Sequence, residues 1–139
     1  MNFQHLKEHL QEQGYGPLIA ENGPKLLSIC DFRIEQIDDH WRVCDTERGE
    51  VVETYLTTRD EKEACAFWYE RIAGRMLHFA TFKSAGEADS VEHALVSAGI
   101  NVWRNDIPNF NGPNDARYRV FTAGRDLRGA RLIMKERDG

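Results

Sequence analysis

An α+β fold is predicted by two observations. Along the chain the apolar period changes from helical to two, and then back again more than once. Turn-forming residues cut the period-two runs into short pieces of the length that antiparallel sheets use. The expected order is an N-terminal helix, a three-stranded antiparallel meander with a helix behind it, and then a βαββα unit. These are expected to pack as one compact domain over 1–139, with one lobe at 1–74 and a second at 75–139.

Residues 2–13 begin as an amphipathic helix, because Phe3, Leu6 and Leu10 share one face. Gly14 and Gly16-Pro17 end it, and the Gly- and Pro-rich stretch from Tyr15 to Lys25 reads as a loop. From there the period is two. Phe32 and Ile34 alternate with Arg33 and Glu35, and Trp41 and Val43 repeat the pattern. Asp38-Asp39 and Glu47-Arg48-Gly49-Glu50 read as hairpin turns, Gly49 supplying the positive φ such a turn often needs. Residues 29–57 are therefore expected to form the meander. Asp60 then caps a helix with Glu63 three residues on, and Ala64, Cys65, Trp68 and Ile72 face its core side.

The second half follows the same logic. Met76–Lys83 alternates as a strand, and Ala85–Ala98 is helical, with Ala88, Val91, Leu95 and Val96 apolar and Gly99 at its end. Strands follow at Asn101–Ile107 and Arg117–Ala123, separated by the loop PNFNGPND. A last helix carries Leu127, Ala130, Leu132 and Ile133.

Composition narrows the function. Seven Phe, four Tyr and three Trp supply core material, which argues against disorder. There is no apolar run near the length of a membrane span, and the first residues lack the apolar centre of a signal peptide, so a cytoplasmic location is expected. In a reducing compartment Cys30, Cys44 and Cys65 read as small buried hydrophobes.

Charge is unevenly placed. Residues 31–63 hold eleven acids against five bases, whereas the remainder holds twelve acids and thirteen bases. Such a segment repels nucleic acid and steers a basic partner toward itself.

No catalytic constellation emerges. His5 and His9 share a helix face but lack a second ligand pair. His40 and Cys44 share a strand face, yet lie roughly 13 Å apart at ~3.3 Å per residue. There is no nucleophile elbow, dinucleotide fingerprint or phosphate-binding loop. Neither enzymatic activity nor a metal ion nor a cofactor is expected.

The run Trp41-Arg42-Val43, the Glu47-Arg48-Gly49 turn, Thr57-Thr58 and the helix Glu61 to Tyr69 with its Ala-Cys-Ala-Phe-Trp-Tyr core resemble bacterial immunity proteins. Those proteins guard cells against polymorphic toxins, including those of contact-dependent growth inhibition. The resemblance covers roughly residues 28–73 and rests on scaffold positions. The second half also looks similar to small βαββα modules such as the SPOR domain.

The first resemblance implies a non-enzymatic antitoxin that binds a cognate toxin C-terminal domain, often a nuclease with a basic groove. On that reading the contact residues are Glu35, Asp38, Asp39, Asp45, Glu47, Glu50 and Glu53, joined by Asn109 and Phe110 of the long loop. The alternative is a small RNA-binding or regulatory adaptor. It would use the basic C-terminal half, where Trp103, Tyr118 and Phe121 adjoin Arg117 and Arg119.

Overall fold

The computed structural model describes residues 1–138. The chain forms two compact units, Met1–Gly74 and Arg75–Gly139. The predicted α+β class is observed, with four α-helices and two antiparallel sheets.

In the first unit, α1 (Phe3–Glu12) starts where the Asn2 side chain accepts a 2.8 Å hydrogen bond from the His5 amide. Its apolar face, Phe3, Leu6 and Leu10, is buried. Gly14 turns the chain with φ 87° and a short 3₁₀ turn follows at Gly16–Leu18. Five strands come next: β1 (Ile19–Gly23), β2 (Leu26–Ile29), β3 (Phe32–Ile37), β4 (His40–Glu47) and β5 (Glu50–Thr58), paired in sequence order.

The expected meander is thus present as β3-β4-β5 and is extended by two further strands. The stretch expected as a loop contains β1, an edge strand with three exposed residues in a row and an irregularity between Ile19 and Glu21. It has no alternation to detect, because pairing with β2 holds it rather than burial of its own face. The turn between β2 and β3 was also hidden. Cys30 and Asp31 both adopt positive φ, 51° and 59°, in a role usually filled by Asn and Gly. Cys30 is consequently exposed at a turn, whereas Cys44 and Cys65 are buried as expected. The two expected turns are observed, with positive φ at Asp38, Arg48 and Gly49.

Helix α2 (Glu61–Gly74) begins under Asp60, whose Oδ1 accepts from the amides of Lys62 and Glu63. It packs on β3, β4 and β5 and against α1. Trp68 is fully buried, lies parallel to Phe32 at 5.8 Å, and donates its indole N–H to the Phe32 carbonyl at 3.2 Å. The Phe3 amide donates to Glu61 Oε2 at 3.0 Å, and Phe3 meets Trp41 at 5.3 Å.

The second unit runs β6 (Met76–Phe82), α3 (Ala85–Ser97), β7 (Val102–Ile107), β8 (Arg117–Ala123) and α4 (Leu127–Asp138), the expected βαββα order. Its sheet is β6-β8-β7, with β8 in the centre. Ser84 caps α3. Val91, Leu95, Ile100, Val120 and Ala130 form a core, with Phe79, Phe82, Val102, Ile133 and Met134 around it. Val96 and Leu132, expected at apolar positions of α3 and α4, are each 54% exposed instead. Both helices contact the sheet on the side carrying Val120, which leaves the opposite side of the sheet open within this unit.

Candidate functional site

The acids that sequence reasoning grouped together do not form one patch. Glu35 is an internal residue, with its side chain 12% exposed. Its Oε2 accepts from Arg42 at 2.9 Å and lies 3.6 Å from Arg33, and the Cys44 thiol points at it from 3.8 Å. Arg33 also reaches Glu21 at 3.1 Å. This network binds neighbouring strands and leaves Glu35 little to offer a partner.

Asp38 and Asp39 sit in the β3–β4 turn. Asp39 Oδ1 lies 2.6 Å from His40 Nδ1 there, and Asp39 Oδ2 is ion-paired with Arg59 at 3.4 Å. Asp45 and Glu47 of β4, with Glu53 and Glu50 opposite them on β5, lie toward the far end of that hairpin, roughly 20–26 Å away at ~3.3 Å per residue.

That far end has an unusual register. Glu47 pairs directly with Glu50, and Asp45 pairs directly with Glu53. Like charges set directly opposite each other across a sheet are destabilising. Asp45 accepts a hydrogen bond from the Tyr55 hydroxyl. Glu47, Glu50 and Glu53 form no ion pair among the described residues, although Arg48 stands in the turn between them.

The adjoining strand is β5, the last in its sheet, so its outward backbone groups meet no further strand among the described residues. Every residue from Glu50 to Tyr55 is exposed, including Val52 at 55% and Tyr55 at 44%. Two irregularities in the β4–β5 ladder, between Val43 and Cys44 and between Asp45 and Thr46, re-aim the side chains of this hairpin. An exposed edge of this kind is a template for a strand from another chain.

The two buried thiols are poor nucleophiles. Burial first, and Glu35 second, push the Cys44 thiol up from its ordinary value, with Arg42 and Arg33 opposing. Cys65 is pushed up to about 12, mainly by burial. His9 is engaged with the Tyr69 hydroxyl at 3.0 Å. Among the described residues no group of three or more His, Cys, Asp or Glu converges as metal ligands would.

In the second unit, Asn109 and Phe110 play different parts. The Asn109 side chain accepts from the Asn114 amide at 3.2 Å, so it shapes the loop from within. The Phe110 amide donates to the Asp115 carbonyl, while the ring is 52% exposed and lies 5.5 Å from the Arg117 guanidinium.

The open side of the β6-β8-β7 sheet was missed as a unit. Phe121 pairs with both His78 and Trp103, and Arg119 pairs with Thr81 and Asn105. Phe121 lies 4.7 Å from Trp103 and 5.6 Å from His78, and the Arg119 guanidinium lies 5.1 Å from its ring. Tyr118, which the sequence reading placed with these aromatics, alternates to the helix side, where Arg104 binds Asp89 and Glu92 of α3. The i, i+2, i+4 run Arg117, Arg119, Phe121 was a legible signal for this surface. The contribution of His78 depends on the irregularity between His78 and Ala80, which no sequence pattern announces. Burial, then Arg119, lowers the His78 imidazole below its ordinary value, which favours the neutral ring near neutral pH.

Comparisons of the chain with protein-family models, curated proteins and solved structures give no significant match. Among the described residues no helix is long and apolar enough to cross a membrane.

Proposed function

We propose that this chain is a non-enzymatic immunity protein that acts in the cytoplasm by binding and neutralising the C-terminal domain of a cognate toxin. The observation that carries the reading is the β4–β5 hairpin. It keeps Glu47 opposite Glu50 and Asp45 opposite Glu53, beside an exposed edge strand. A scaffold with no use for that charge would gain stability by placing a base at one member of each pair. The acids supply long-range attraction for a basic surface, and β5 supplies backbone groups and Val52 for close contact. A nuclease domain with a basic groove is the partner class that such a hairpin fits best.

Compared with the expected contact set, Glu47, Glu50 and Glu53 are favoured, Asp45 supports them, and Glu35, Asn109 and Phe110 drop out, Asn109 being bonded within its own loop and Phe110 lying in the second unit. Asp38 and Asp39 lie at the other end of β4 and would belong to a second contact.

The test is co-expression with the C-terminal domain of the product of the adjacent upstream gene, reading toxicity, growth rescue and the association rate. Rescue, with an association rate that falls at least about tenfold in Glu50→Lys/Glu53→Lys and falls with added salt, is the expected result. A toxic neighbour that kills equally with and without the chain would end this reading.

A further inference from the structure

We propose that the open side of the β6-β8-β7 sheet is a binding site for single-stranded nucleic acid. This is an activity of the second unit and does not depend on the toxin-binding reading.

The site is built from five residues on three strands. Trp103, Phe121 and His78 form a row across β7, β8 and β6, each ring against the next. Arg119 stands over the Phe121 ring and makes no ion pair among the described residues. Thr81, which hydrogen-bonds His78 at 2.7 Å, lies opposite Arg119. Phe110 and Arg117 extend the surface at one end, around a concavity of about 420 Å³ lined by His78, Thr81, Phe110, Arg117 and Arg119.

Three features together select the ligand class. First, large aromatics are left in water: Trp103 and Phe110 are each 52% exposed. Flat aromatic faces held in water on one surface offer a stacking platform to a ligand with flat apolar faces of its own. Second, the cations stand beside the rings, which is how a base stacks while its phosphate is held. Third, most nearby acids are directed elsewhere. Asp89, Glu92 and Asp106 are engaged by Arg104 on the helix side, and Asp115, at the end of the surface, is paired with Arg117 at 2.9 Å, which leaves Arg119 as the main cation for a phosphate. A carboxylate-bearing peptide would use the arginines but would leave most of the aromatic surface unmatched. A duplex hides its base faces and cannot stack on them. A single strand satisfies both rings and cations, and stacking tolerates any base sequence.

The unit carrying this face has ten bases and eight acids, while residues 1–74 have eight bases and fifteen acids. Binding is therefore expected to be of micromolar strength and salt-sensitive.

The experiment is fluorescence anisotropy of short labelled oligothymidylate and oligouridylate with the whole chain at low salt. A labelled duplex and unlabelled polyglutamate serve as comparisons. Single strands are expected to bind with duplex much weaker. Trp103→Ala and Phe121→Ala should each weaken binding about tenfold, and Trp103→Phe should keep most of it. Arg119→Ala should weaken binding and reduce the log–log salt slope by about one. Far-UV circular dichroism and the urea midpoint establish that each variant is folded, and the solvent-exposed Trp103 position keeps at least that variant interpretable. The proposal is overturned by no anisotropy change, by duplex binding equal to single strand, or by binding indifferent to Trp103→Ala. Polyglutamate competing as well as the oligonucleotides would also overturn it and reassign the face to acidic protein.

Discussion

Trp68 shows how much of the first unit rests on one side chain. It is fully buried, parallel to Phe32, and its N–H satisfies a backbone carbonyl. Trp68→Ala should cost about 3–5 kcal/mol, seen as a lower urea midpoint. An unchanged midpoint would mean the site collapses without loss. The cysteines give a second residue-level prediction. Thiolates react and thiols do not, and burial holds Cys44 and Cys65 protonated well above neutral pH. A disulfide reagent near pH 8 should therefore modify Cys30 quickly in the native protein and all three cysteines after unfolding. The same raised value has a sign for stability. The Cys65 thiol keeps its proton in the fold up to about 12, against an ordinary 9.0, so its contribution is complete below that ordinary value and falls as pH climbs between the two. Cys65→Ala should flatten the alkaline limb of stability against pH, and an identical limb in the variant would contradict the assignment.

At the scale of elements, the helices were the most legible parts, because each carries an apolar period of its own. Asp60 and Glu63 announced α2, and Phe3, Leu6 and Leu10 announced α1. The strands that escaped notice, β1 and β2, are held by neighbours and a Cys-Asp turn rather than by patterns of their own. The candidate site was legible in residue type but not in arrangement. Eleven acids between residues 31 and 63 are visible in the sequence. That Glu35 turns inward onto Arg33 and Arg42, and that Glu47 faces Glu50, are facts of register. Register also sets a prediction. Glu50→Lys and Glu53→Lys replace like-charge pairs by opposite ones, so each should raise stability by about 0.2–1 kcal/mol while weakening toxin binding. If both changes lower stability, the hairpin acids are structural and the functional reading of their cost fails.

Across the whole molecule, charge and aromatic exposure are divided between the two units. Residues 1–74 hold fifteen of the twenty-three acids and end their sheet in an acidic hairpin. The second unit holds ten of the eighteen bases and exposes Trp103 and Phe110 beside Arg119 and Arg117. Surfaces of opposite character recruit ligands of opposite charge, so they are expected to act as separate sites rather than as halves of one. Sites that share no residues should respond additively to mutation. Glu50→Lys/Glu53→Lys should abolish most toxin-domain binding and leave the Trp103→Ala effect on oligonucleotide binding unchanged in size. Trp103→Ala should weaken oligonucleotide binding and leave growth rescue intact. Binding of both ligands by the wild type and each double combination, measured as a mutant cycle, decides this. A coupling larger than about 0.5 kcal/mol would mean that the two faces contribute to a single interface, and the division of labour by charge would have to be given up.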